Sequence, residues 1–133
     1  MGKYFSVAEL SRSQVASSRG IDNAPQGDIK DSLEVMIDKL LDPVREAWGA
    51  PITVNSGYRS LALNSAVGGV ATSQHTKGQA VDITAGSPEK NKQLFDLVIS
   101  KGFDFDQLID ERNYTWLHLS YKASGCRNQV LHL

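Results

Sequence analysis

Two short segments fix most of what this chain can become. Over residues 80–84 (AVDIT), Val81 and Ile83 alternate with Ala80, Asp82 and Thr84; over residues 115–121 (TWLHLSY), Leu117 and Leu119 alternate with Trp116, His118 and Ser120. A period of two is that of a half-buried β-strand, one face on the core and the other turned from it. Asp82 and His118 therefore leave the core face. If the two strands are neighbours, these side chains project side by side over one surface.

The rest of the pattern supplies the layers. Residues 5–27 mix a short helical turn with Ser, Gly, Asn and Pro, an irregular N-terminal wrap. Over residues 28–48, Ile29, Leu33, Met36, Ile37, Leu40, Leu41, Val44 and Trp48 recur at 3/4 spacing and predict an amphipathic helix. Asp28 suits its N-cap, and Pro43 should kink or break it near residues 41–42. A strand is expected from residue 51, a helical turn over 60–66, and a helix over 87–100 opened by Ser87 and Pro88. Residues 103–111 and 114–121 read as two strands joined through Arg112 and Asn113, and the tail as a turn with a short edge strand. Helices before and between strands that can pair antiparallel favour α+β over a parallel layout.

At 133 residues there is room for one domain. Fourteen basic against fifteen acidic side chains leave a formal charge of -1, so no global electrostatic pull on nucleic acid or anionic lipid is expected. Function must come from a local arrangement. The single cysteine, Cys126, excludes an intramolecular disulfide and a Cys-rich zinc site. No signal peptide and no membrane span is visible, so the chain is expected to stay where it is made, as a monomer. The Met1-Gly2 start with Ser6 formally matches a short acylation pattern that is frequent by chance and carries no weight.

Without sulfur, any metal must be held by His and carboxylate. His75 lies seven residues before Asp82 across a turn containing Gly78, a spacing that folds its imidazole back towards the polar face of the strand. Each histidine alone suits an ordinary surface or hydrogen-bonding role. Jointly, two imidazoles and a carboxylate with a fourth position open to water describe a catalytic zinc site. His132, near the C-terminus, is set aside as non-ligating.

These residues resemble a family. SQHTKGQAVD at 73–82 matches SxHxxGxAxD, and WLH at 116–118 matches the WxH element of the zinc D,D-peptidases of the M15 group. That group spans D-Ala-D-Ala carboxypeptidases, phage endolysins, vancomycin-resistance dipeptidases and, more distantly, the hedgehog signalling domain. SGYRS at 56–60 and FDQLIDE at 105–111 are further similar blocks. The resemblance implies a small antiparallel sheet flanked by helices, hedgehog/DD-peptidase-like, and one zinc peptidase catalytic domain over residues 1–133. It implies Zn²⁺ held by His75, Asp82 and His118, with Arg59 contacting substrate and stabilising charge on the attacked carbonyl. Ser73 would bind substrate or fix the His75 loop.

For the general base the chain departs from the pattern. Three positions before the last His ligand, where many members carry an acid, stands Thr115. Glu111 aligns instead with a Glu ending an FDxxxxE strand, with Asp110 and Asp106 as competitors. Gln107 or Ser120 would orient the imidazoles. The implied partner is the bacterial peptidoglycan stem peptide, cut beside a D-amino acid. The lack of a signal peptide fits a phage lysis enzyme made in the cytoplasm and acting on the cell wall. Two alternatives stand: a zinc-containing binding module of the same fold without hydrolysis, and an α+β domain with structural histidines.

Overall fold

The computed structural model describes residues 3–70 and 72–133; Met1 and Gly2, the start of the acylation pattern, lie outside them. The N-terminal wrap forms two short helices, α1 (Val7–Leu10) and α2 (Gln14–Arg19), whose first N–H groups are capped by the Ser6 and Ser13 hydroxyls. The long apolar stripe becomes α3 (Gly27–Met36), a π-helical turn (Ile37–Leu41) and α4 (Asp42–Trp48). The expected break at Pro43 is instead a widened turn. Pro43 has no N–H for a helical bond, and just before it the Asp42 N–H reaches back five residues to the Ile37 carbonyl, so the helix continues. The N-cap is Gln26, without a side-chain bond, and Asp28 sits in the first turn rather than capping it.

After α4 come β1 (Thr53–Ser56), α5 (Leu61–Ala66), a 3₁₀ turn (Gln74–Lys77), β2 (Ala80–Thr84), α6 (Pro88–Ser100), β3 (Gln107–Glu111), β4 (Trp116–Ser120) and β5 (Gln129–His132). Among the described residues the strands form one sheet of order β1-β2-β4-β3-β5. The fold is α+β, as expected. The sheet is not wholly antiparallel: β5 runs parallel to β3. Since β4 is antiparallel to β3, it ends beside the start of β3, and a chain stepping across that end must run alongside β3 in its direction. Residues 121–128 make the step, anchored where the Asn128 N–H meets the Phe105 carbonyl and the Gln129 N–H the Asp106 carbonyl.

One face of the sheet is the core. Val81, Ile83, Leu108, Leu117 and Leu119 are buried with Leu33, Met36, Ile37, Leu40, Leu41 and Val44 of the long helix and Leu94, Phe95 and Val98 of α6. Fully burying side chains of this kind contributes about 1.5–3 kcal/mol each, so the helical layer holds the sheet and leaves its other face to carry polar groups. No helix among the described residues is long and apolar enough to cross a membrane.

Candidate metal centre

Asp82 pairs with His118 between β2 and β4, as the alternation requires, and His118 pairs in turn with Ile109 of β3. On the other side Asp82 pairs with Ser56 of β1. This last pairing exists because β1 carries a bulge: the register runs from Val54↔Ile83 directly to Ser56↔Asp82, with Asn55 as the extra residue. In a regular strand Asn55 would face Asp82; the bulge presents Ser56 and the segment leading to Arg59 instead. A row of side chains therefore crosses the polar face of four strands with Asp82 and His118 at its centre.

His75 arrives from the 3₁₀ turn. Ser73 caps that turn, its hydroxyl accepting from the His75 N–H at 3.2 Å, and Gly78 ends it with a left-handed φ of 69°. A Cβ on Gly78 would also lie 2.8 Å from the Ile29 carbonyl oxygen, so both conformation and packing demand glycine there. His75 as a whole is 4% exposed. Its Nδ1 donates to the Gly57 carbonyl at 2.7 Å. A carbonyl only accepts, so this bond fixes the tautomer and leaves the Nε2 lone pair facing Asp82, 3.5 Å from Oδ2. The His118 Nδ1 stands 3.1 Å from Asp82 Oδ1. The two imidazoles meet edge to face, centroids 5.3 Å apart.

One ligand atom from each of His75, Asp82 and His118 lies within 4.8 Å of the others. With metal–ligand bonds of about 2.05 Å, a tetrahedral zinc site needs ligand atoms roughly 3.3 Å apart; His75 Nε2 lies 3.5 Å from Asp82 Oδ2 and His118 Nδ1 3.1 Å from Oδ1, each imidazole at that spacing from its own oxygen of the carboxylate. The donor set, two neutral imidazoles and a carboxylate, suits Zn²⁺. Burial pushes the Asp82 carboxyl up, but His118 and His75, which when protonated donate to it and set positive charge beside it, prevail and hold it below the usual carboxylate range. It is thus the anion that a cation requires.

The other expected residues distribute unequally. Arg59 approaches Asp82 Oδ2 at 4.0 Å and is steadied by Asn64 Oδ1 at 3.2 Å and Ser56 Oγ at 3.4 Å, while its backbone N–H donates to the His75 carbonyl. Glu111, Ser73 and His118 line one open hollow of about 440 Å³. Asp110 lies on the opposite, helix-facing side, paired across β4 with Leu117, buried and bonded to His132 Nδ1. Asp106 is buried in an ion pair with Arg127. Thr115 turns its hydroxyl to the Arg112 carbonyl in the hairpin. Gln107 and Ser120 do not touch the imidazoles: the Ser120 hydroxyl accepts from the Gln107 N–H, and the Gln107 amide reaches Gln129. The group that orients His75 is the Gly57 carbonyl, invisible to any search by side chain. Asn64 and Asn91 were also unforeseen; Asn91, wholly buried, bonds Thr84 and the Tyr114 and Thr115 carbonyls and so ties the hairpin to the end of β2.

With this geometry in place, the family model described as Peptidase M15 matches residues 3–120. A 48-residue stretch is 52% identical to the zinc D-Ala-D-Ala carboxypeptidase of Streptomyces albus G, covering 35% of this chain and 19% of that protein. The matched stretch thus spans about a fifth of the relative's length.

Proposed function

The chain belongs to the M15 peptidases, and from that premise we propose that it is a zinc-dependent peptidase hydrolysing peptidoglycan stem peptides next to a D-amino acid. The observation that carries the reading is the convergence of His75, Asp82 and His118, the last of which lines an open hollow that also holds Glu111. The three residues would hold zinc, which when bound supplies a Lewis acid that polarises a carbonyl and lowers the pKa of water to about 7.

The chain's own groups do the rest. Glu111 is the carboxylate on the site face of β3 that takes a proton from the attacking water and returns it to the leaving amine. Arg59, permanently charged and held by Asn64 and Ser56, stabilises the oxyanion of the attacked carbonyl; one such donor contributes on the order of 3 kcal/mol to the barrier. Ser73 positions the His75 loop through its cap and keeps its O–H free to donate to substrate. Gly57 sets the His75 tautomer.

A second reading, a zinc-containing module that binds without hydrolysis, is favoured by Thr115, whose hydroxyl is turned into the hairpin. A defined muropeptide incubated with the purified chain, its products weighed by mass spectrometry, decides between them. Hydrolysis abolished by chelator and restored by zinc supports the peptidase; zinc-dependent binding with no released amine sinks it in favour of the module.

A further inference from the structure

The hollow holding Glu111 and His118 carries a second pattern that hydrolysis alone does not use. Its lining includes three cations, Lys77, Lys122 and Arg127, against the single carboxylate of Glu111, in a chain of formal charge -1. Two of the cations are organised from beneath. Asp106, 0% exposed, accepts from Arg127 Nε at 2.9 Å, from an Arg127 Nη at 2.8 Å and from the Arg127 backbone N–H at 3.2 Å. Gln74 adds a fourth donor at 3.0 Å, and Lys122 Nζ stands 3.8 Å away. Asp106 thus neutralises one cation, Glu111 offsets a second and one positive charge is left in surplus; Asp106 also locks a guanidinium whose second Nη is not spent on it. Because Lys122 and Arg127 approach the same carboxylate, they stand within one carboxylate's reach of each other. Three neutral amides, Gln74, Gln79 and Gln107, fill the wall between.

We propose that Lys77, Lys122 and Arg127 form a carboxylate-recognition subsite beside the metal cluster, selecting peptides that carry a free carboxyl on a residue before the scissile bond, in addition to the C-terminal carboxylate. The proposal rests on the peptidase reading and deepens it by naming the substrate class. Fixed cations beside a cleft give charge-assisted bonds that a carboxamide cannot replace. Lys122 and Arg127 lie beyond residue 120, where the family match ends, and Lys77 lies within it, so two of the three cations come from outside the matched segment.

The test compares two pentapeptides ending in D-Ala-D-Ala, one with acidic second and third residues, the other with both as carboxamides. Binding to the zinc-loaded full chain is measured by calorimetry and cleavage in parallel. The acidic peptide is expected to bind about tenfold more tightly at low salt, with the advantage largely lost at about 0.5 M salt. The Lys77→Met/Lys122→Met double variant should reduce the ratio to less than about twofold; it leaves the buried Asp106–Arg127 pair intact and so avoids the folding risk of removing Arg127. Equal binding of the two peptides, binding of neither, or a preference that survives in the double variant overturns the subsite. An acidic preference in binding with no hydrolysis of either peptide keeps the subsite and removes the peptidase reading. Hydrolysis of both with equal KM does the reverse.

Discussion

The sharpest consequence of the site's construction concerns a residue with no side chain. An alanine Cβ at position 57 would lie 2.0 Å from the Leu10 carbonyl oxygen and 2.9 Å from its carbon, both backbone atoms that cannot swing aside. Restoring a tolerable contact of about 3.1 Å requires the two segments to part by roughly 1 Å. The same peptide carries the carbonyl that accepts from His75 Nδ1 at 2.7 Å, and its neighbour Tyr58 donates to Leu10 at 2.7 Å. A 1 Å displacement along the first bond stretches it to about 3.7 Å, outside hydrogen-bonding range. The imidazole then loses both its fixed tautomer and its aim. Disturbing a group that orients a ligating histidine typically lowers metal affinity by about 10–100-fold, and Gly57→Ala should do so although it touches no ligand. Zinc affinity measured by competition against a chromophoric chelator checks this, with Gly20→Ala, which strains a left-handed backbone but meets no atom within 4 Å, as the control for general destabilisation. Unchanged zinc affinity in Gly57→Ala would refute the claim that the Gly57 carbonyl positions His75.

Other substitutions separate roles that the sequence left together. Glu111→Gln should retain zinc and lose turnover by about 100-fold or more, whereas Asp110→Asn, on the helix side of the sheet, should keep turnover and lose stability; the opposite outcome in a kinetic assay reverses the assignment of the base. Asn64→Ala frees the Arg59 guanidinium and should lower kcat/KM by about tenfold with zinc content unchanged, read from kinetics alongside metal analysis. Asp106 tests acid stability: hydrogen bonds from Arg127, opposed by burial and aided by Gln74, lower its carboxyl from 3.8 to about 2. Because the folded value is the lower one, its stabilisation is complete above about 3.8 and is lost as pH falls through about 2. Asp106→Asn should cost about 2–4 kcal/mol near neutrality, and the gap between the urea midpoints of variant and wild type should narrow from pH 5 to pH 2.5; a gap independent of pH counts against the ion pair.

The parts of the molecule that were legible in the sequence are those governed by period. Alternation at Val81/Ile83 and Leu117/Leu119 placed Asp82 and His118 on one face, and the strands proved to be neighbours with those two residues in register. The helical stripe placed the layer that covers the other face. What escaped is governed by local backbone events that leave no periodic trace. The bulge at Asn55 breaks an alternation that looked regular, the π-turn replaces a break that Pro43 alone suggested, and the parallel course of β5 depends on which side of β3 the tail crosses. The same holds at the site: the imidazole was expected to lean on Gln107 or Ser120, yet a main-chain oxygen holds it, and backbone carbonyls are the same in every residue type. Which of Glu111 and Asp110 shares the face of His118 also needed the register, since adjacent residues on a strand face opposite ways and neither face of β3 is cleanly apolar.

The extra residue in β1 makes the site sensitive to length as well as to composition. With Asn55 standing out of the ladder, Ser56, and behind it Arg59, come round to Asp82. Removing Asn55 would leave a regular strand in which Ser56 still stands opposite Asp82, whereas removing Ser56 would set Asn55 there in its place. The two deletions are one residue apart in the chain and opposite in consequence, so relatives that keep this centre should tolerate loss of a residue at position 55 and not at position 56.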